Sequence, residues 1–357
     1  MKRLFYFMMA LFVLAISFSC NNDHKSDKIK VGVLMPLTGD MAFLGQSFAN
    51  AMIMNADTSK VVLYIQDSKG EPKTAINVVN QLISTKHVDV VVSLMPSVSE
   101  TINPILQSKG ITHFVFAFSP DITKADNVIK QYPSSDIEDV ELLEYAAAKG
   151  VKSIAFLRHI ISDAEDAYNS IVLPLAKEKG ITVFDEPFEE NTKDFNSLAH
   201  KVKNYKSDMI IVQSFSFNYL NIVKSFYYNG ILDKMVGDLN FNDLYTYDFD
   251  TVKEMDNIPF LGMSFVLTDA YKDFESSFTE QFNDRPSVMS AFPYDVMSVI
   301  NVLGESGTKK KDIIAYYNEH EVNGVTGRLK YDDKGNQIID YLVMEYQNGH
   351  FSPISGE

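Results

Sequence analysis

Cysteine occurs once in this 357-residue chain, at position 20, and tryptophan not at all. One thiol excludes an intrachain disulfide framework and any multi-cysteine metal site. Positive charge is short as well: 32 Lys and Arg stand against 47 Asp and Glu, for a net charge of −15. Such an acidic surface disfavours nucleic acid and anionic lipid headgroups as partners. The seven histidines are scattered without metal-ligand spacing, so each reads as a surface or core residue. No G-x-S-x-G turn is present, and the carboxylate clusters in "DIEDVELLE", "DAED" and "FDEPFEEN" read as solvated helix faces. In "VGVLMPLTGDMAFLG", Gly39 and Gly45 are too far apart for a dinucleotide fingerprint, and no Walker lysine follows. Neither an enzyme nor a cofactor is indicated.

Long apolar runs are missing too, with one exception. "MKRLFYFMMALFVLAISFSC" places Lys2 and Arg3 before an uncharged run from Leu4 to Ser19, shorter than the roughly twenty residues that span a bilayer. It reads as an export signal ending at Cys20, which small Ser19 precedes and polar "NNDHKSDK" follows. Cys20 is therefore read as the lipidated N-terminus of a mature lipoprotein, with residues 1–19 as signal peptide and 20–28 as tether. That places the protein in the cell envelope, on its periplasmic or extracellular face, held to the membrane through Cys20.

What is present is alternation. From Lys30 to about Asn229, short apolar strands such as "IKVGVLM", "VVLYIQ", "VDVVVSL", "THFVFAF", "SIAFL" and "DMIIVQS" alternate with amphipathic helices. Ala75, Val78, Val79 and Leu82 fall at i, i+3, i+4 and i+7 behind Pro72, a good first-turn residue. Alternation of this kind argues for α/β architecture, with parallel sheets covered by helices on both faces. Pro133, Ser134 and Ser135 interrupt the pattern, and Asp136 is a candidate cap for a new helix bearing Val140, Leu143 and Ala147. A second alternating series starts at Ser153, so two lobes are expected. Turn signals in "DDKGN" and "QNGH" predict that antiparallel strands finish the fold.

The 25 Phe and 18 Tyr are mostly core material. Those at the carboxyl ends of strands are different, because ligands of open α/β sheets bind in the crevice outside those ends. Phe43 and Leu44, Phe116 to Phe118, and Phe215 to Phe217 fall there.

At this point the chain resembles the type I periplasmic binding proteins, in the leucine/isoleucine/valine-binding branch that serves ABC importers. Five segments carry the resemblance in the family's order. They are "IKVGVLMPLTGDMAFLGQSFANAM", "YIQDSKGEPKTAINVVNQLI", "YPSSDIEDVELLEYAAAKGVKSIAFL", "AFPYDVMSVI" and "VNGVTGRLKYDDKGN". The resemblance implies two Rossmann-like lobes with parallel-sheet cores, joined by a three-crossover hinge near Tyr132 to Asp136, Gly262 to Thr268 and Val322 to Gly327. The implied lobes are 29–133 plus 265–322 and 134–264 plus 323–357.

By the same resemblance, Phe43 or Leu44 reaches into the cleft between the lobes. Ser97 or Ser99, after Pro96, and Ser119 stand in for the hydroxyls that hold a ligand carboxylate, and the Phe118 carbonyl faces an ammonium. In the second lobe Asp163, preceded by His159, falls near the family's ligand aromatic, and Phe215 or Ser216 supplies the next contact. Leu239 aligns with the acid that receives an amino-acid ammonium, with Asp238 one residue away. The implied function is a lipid-anchored solute-binding protein that delivers a small organic ligand, an amino acid or a related amide or aromatic compound, to ABC permease subunits. The alternative is a sensory or regulatory envelope lipoprotein that binds a protein partner with a degenerate cleft.

Overall fold

The computed structural model describes residues 28–354, apart from 40, 120, 161, 190–191, 245–256, 307–308 and 348–349. The expected signal peptide, Cys20 and the expected tether up to residue 27 lie outside the described residues, as do Asp40 and the turn expected at Asn348 and Gly349, and Asp163 is described by its backbone alone.

The alternating segments form two sheets. The first takes β1 (Ile29–Met35), β2 (Val61–Asp67), β3 (Val90–Leu94), β4 (Thr112–Phe116) and β5 (Val128–Lys130) in the order β2-β1-β3-β4-β5. All of its pairings are parallel. The second is built from β6 (Ser153–His159), β7 (Thr182–Phe188), β8 (Met209–Gln213), β9 (Met235–Gly237) and β10 (Phe260–Met263). A short hairpin, β11 (Asn323–Gly324) with β12 (Gly327–Arg328), stands apart. The closing strands β13 (Tyr341–Gln347) and β14 (His350–Pro353) complete the second sheet in the order β14-β13-β10-β9-β8-β6-β7. Among the described residues of that sheet the β10–β13 and β13–β14 pairings are antiparallel and the others parallel.

β3, β4 and β8 are buried along their whole length, as strands covered on both faces must be. Their near-continuous Val, Ile and Phe content is the sequence cause. The helix Pro72–Gln81 buries Ala75 and Val79, the face its periodicity assigned. β5 and β9 are three residues each, too short for a pattern to reveal them.

Two glycines near β1 do different work. Gly39 takes φ +87°, a left-handed turn that a side chain resists. Gly45 lies inside the helix Ala42–Asn55, and a Cβ there would stand 2.1 Å from the Pro36 carbonyl oxygen. It permits the helix to approach the strand end.

The helix after β5 runs Ser135–Ala148, and its buried face is Glu138, Asp139, Leu142, Leu143 and Ala146, rotated from the expected Val140, Leu143 and Ala147. Asp136 sits inside the first turn and does not cap. Ser134 holds the cap position, but its Oγ accepts from buried Lys130 Nζ at 2.7 Å, so it caps nothing.

Three passages join the sheets. The first leaves β5 through Tyr132 into the helix Ser135–Ala148, and the second leaves β10 through Ser264–Leu267 into the helix Asp269–Phe282. The helix Ala291–Ser306 packs beside Ala42–Asn55, where Asn55 Nδ2 donates to the Tyr294 carbonyl at 2.7 Å and Asp57 N–H donates to Asn301 Oδ1 at 3.1 Å. The stretch 323–337, expected to open the C-terminal lobe, is tied to the first sheet. Lys130 N–H donates to the Gly335 carbonyl, Gln337 N–H donates to the Lys130 carbonyl, and Tyr331 Oη donates to Gln131 Oε1. The chain reaches the second sheet only at Asp340, whose carbonyl accepts from Ser264 N–H at 2.9 Å. Second and third passages are thereby bonded to each other.

Candidate functional site

On the first sheet, Asp67 at the end of β2 organises the loop after β1. Its carboxylate accepts from Leu37 N–H (2.9 Å), Thr38 Oγ1 (2.6 Å) and Lys69 N–H (2.8 Å), and these bonds hold its pKa below the usual carboxylate value despite the opposing cost of desolvation. Beyond β3, Met95 takes φ +82°, an uncommon strain for a side-chain-bearing residue, and such strain clusters at functional sites. It turns the chain into the helix Pro96–Ser108, whose first turn carries exposed Ser97. Beyond β4, half-buried Phe118 packs edge-on against Tyr132 at 5.0 Å. Tyr132 also contacts Phe48, Phe116 and Phe292, so the first passage is anchored in an aromatic cluster.

On the second sheet, His159 ends β6 and is 7% exposed. Half-buried Phe215, just past β8, stacks on it with ring centroids 4.5 Å apart and planes at 13°. Phe217, on the rim and exposed, stacks on Phe215 at 5.5 Å and 10°. Burial lowers the His159 pKa to about 4, so the imidazole is neutral at physiological pH.

The helix Ser135–Ala148 adds carboxylates. Glu138 Oε1 accepts from Leu239 N–H at 2.9 Å, and Asp139 Oδ1 accepts from Gln213 Nε2 at 2.6 Å. Desolvation raises Glu138 well above an ordinary glutamate and Asp139 to about 7. Asp238 is engaged on all sides: Ser214 N–H, Tyr219 Oη and Asn240 N–H all donate to it within 2.9 Å. Burial raises it to about 7 even so.

Buried polar atoms are normally paired. Here Gln131 Nε2, Asp136 Oδ1, His159 Nδ1, Ser214 Oγ and both amide atoms of Asn242 are buried with no partner. Gln131, His159 and Ser214 stand at or one residue past the carboxyl ends of β5, β6 and β8, where an open α/β sheet binds its ligand, and Asp136 and Asn242 lie on the segments that follow β5 and β9; Asn127 Oδ1, Ser207 Oγ, Asn336 Oδ1 and Gln337 Oε1 are unpaired elsewhere.

One arrangement imitates a hydrolase. Ser93 Oγ lies 2.7 Å from His113 Nε2, and His113 Nδ1 lies 3.1 Å from Asn103 Oδ1. The connectivity is that of a nucleophilic triad. Ser93 and His113 are wholly buried, however, Ser93 Oγ is also bonded to Ser99 Oγ at 2.7 Å, and burial lowers the His113 pKa to about 3. It is a core network. Elsewhere, a groove of about 920 Å³ between the helix Asp269–Phe282 and β14 is lined by Tyr271, Glu275, Arg285 and Phe351, and by none of the strand-end residues.

A model of the periplasmic binding protein family matches residues 28–350. The chain belongs to this family. Membership implies an extracytoplasmic location and a non-enzymatic, solute-binding fold. A Leu/Ile/Val-binding protein of Rhizobium johnstonii is 27% identical over 199 residues, 51% of this chain and 53% of the relative, so the match spans about half that curated protein. Among solved structures, a branched-chain amino acid transporter substrate-binding protein of Streptococcus pneumoniae in complex with isoleucine has a TM-score of 0.77 at 20% identity, covering 91% of this chain and 97% of that one. A solute-binding protein of an ABC transporter from Rhodopseudomonas palustris in complex with 4-hydroxybenzoate has a TM-score of 0.80 at 18% identity, covering 92% and 96%. At these identities the likeness establishes the type I fold with its parallel-sheet lobes.

In this periplasmic binding protein the residues singled out from sequence separate into groups. Phe43, Phe118 and Phe215 are half-buried and Ser97 is exposed, so all four have surface to offer. Leu44, Ser119, Ser216 and Asp238 are buried. The Ser119 carbonyl accepts from Lys130 Nζ at 3.3 Å, and the Phe118 carbonyl accepts from Ser135 N–H at 3.1 Å. Asp163 falls in the helix Ser162–Ala167.

Sequence reasoning missed Glu138 and Asp139 by taking "DIEDVELLE" for a solvated face. The signal was there: Asp139 shares i, i+3, i+4 and i+7 with Leu142, Leu143 and Ala146, the buried stripe. Asn242 and Ser214 left no such trace.

Proposed function

We propose that this periplasmic binding protein is a lipid-anchored receptor, tethered through Cys20, that closes two lobes over a small organic ligand and presents it to the permease of an ABC importer. The observation that carries the reading is that Gln131, His159 and Ser214 keep unpaired, buried polar atoms at strand ends that also carry half-buried Phe118 and Phe215. Affinity would come from the aromatic faces and orientation from the few polar groups, the usual division in such sites. The lobes would meet at the three passages, with the third near residues 338–340, and close as rigid bodies.

Between an amino acid and an aromatic acid, the second is favoured. Leu239 is apolar where an ammonium-binding acid would stand, and the carboxylates of this end of the sheet, Asp238 beside it and Glu138 and Asp139 on the helix Ser135–Ala148, are pushed by burial toward their neutral forms. A zwitterion's ammonium would have to draw one of these carboxylates into its charged form against the desolvation that raises it. The relatives in complex with benzoate and with 4-hydroxybenzoate supply a chemical precedent.

A thermal-shift screen of the purified full chain against isoleucine, leucine, benzoate and 4-hydroxybenzoate tests this. A ligand at a hundred times its dissociation constant stabilises by about 2.7 kcal/mol. No shift from any of the four in folded protein sinks the ligand reading. For the anchor, Cys20→Ala should release the protein from the membrane fraction, and retention would refute lipidation.

A further inference from the structure

We propose, resting on the solute-binding reading above, that His159 is a specificity residue that selects ring-hydroxylated aromatic acids over their unsubstituted analogues. Register carries the first step. β6 and β8 pair Arg158 with Gln213, so His159 and Ser214 stand side by side where the two strands end. Both side chains are more than nine-tenths buried, and His159 Nδ1 and Ser214 Oγ are both unpaired. Neither atom is engaged among the described residues, so a ring nitrogen and a hydroxyl are left side by side to pair with a ligand's polar group.

The second step is shape. Phe217, Phe215 and His159 form three near-parallel layers, with the unpaired nitrogen in the innermost ring. A flat ring lying against the edge of this stack would bring a hydroxyl it carries to that nitrogen, with Ser214 Oγ beside it. A ligand without the hydroxyl leaves both atoms buried and unpaired, which is how polar sites reject isosteres.

The test compares 4-hydroxybenzoate, benzoate and isoleucine by calorimetry on the full chain, with His159→Phe and His159→Asn. Phe keeps the stacked ring and deletes the polar atom, while Asn keeps a polar atom at about the Nδ1 position. The expected result is about tenfold tighter binding of 4-hydroxybenzoate than benzoate, lost in His159→Phe through the hydroxylated ligand alone and regained at least in part in His159→Asn. Equal binding of the two acids, a preference that survives His159→Phe, or binding of isoleucine alone overturns the role of His159 and leaves the receptor reading standing. Binding of none overturns both. If the variants do not fold, ¹⁵N NMR of the wild type decides: the His159 Nδ1 resonance should move with 4-hydroxybenzoate and stay with benzoate, and a resonance unmoved by either refutes the contact.

Discussion

Asp295 offers the sharpest check on how the third passage is held. Its buried carboxylate accepts from Val325 N–H (2.8 Å), Thr326 N–H (2.7 Å) and Thr326 Oγ1 (2.6 Å), and so joins the helix Ala291–Ser306 to the β11–β12 turn. Asp295→Ala strands two backbone donors and a hydroxyl in positions less than a tenth exposed. At roughly 1–3 kcal/mol for each buried group left unpaired, partly relieved by water entering the space, we expect a loss of about 2–4 kcal/mol. Burial raises the Asp295 pKa to about 6, so the stability this proton provides is fully present below pH 4 and lost as pH rises through 6. The wild type therefore gives up part of its advantage at pH 7.5, and the Ala variant should lose more at pH 5 than at pH 7.5. Urea denaturation followed by circular dichroism at both pH values measures this. A loss below 1 kcal/mol at both, or one that grows with pH, refutes the reasoning. Gly324→Ala attacks the same contact from the other side, since its Cβ would stand 2.3 Å from Asp295 Oδ2. The double variant should then be less damaged than the sum of the singles.

Asp139→Asn keeps the acceptor for Gln213 Nε2 and removes a charge that burial raises to about pKa 7, so it should match the wild type near pH 4 and exceed it in stability at pH 8. A variant weaker than wild type at pH 8 would contradict that sign. Phe118→Ala and Phe215→Ala should each weaken ligand binding by roughly 1–3 kcal/mol, the scale of a buried apolar side chain, and calorimetry showing unchanged affinity with lowered stability would return them to the core. Ser99→Ala should cost about 1 kcal/mol of stability through its bond to Ser93 and leave affinity alone, whereas exposed Ser97→Ala should do the reverse.

Sequence alone determined the architecture here, because periodicity is a local property. Runs such as Val90 to Leu94 specify strands buried on both faces, and Ala75 and Val79 specify a helix face, whatever lies elsewhere in the chain. Their alternation leaves few ways to build a parallel sheet, and the strand-end aromatics Phe118 and Phe215 follow from that topology. The tertiary structure decided which polar groups are buried and what they meet. Glu138 meets Leu239 across 101 residues of sequence, Asp139 meets Gln213 across 74, and Tyr331 meets Gln131 across 200. The burial that raises the Glu138 and Asp139 pKa values, and that leaves His159 Nδ1 unpaired, exists only once distant strands end side by side. Pattern within a segment reports which face turns inward, and the groups waiting on that face come from other segments.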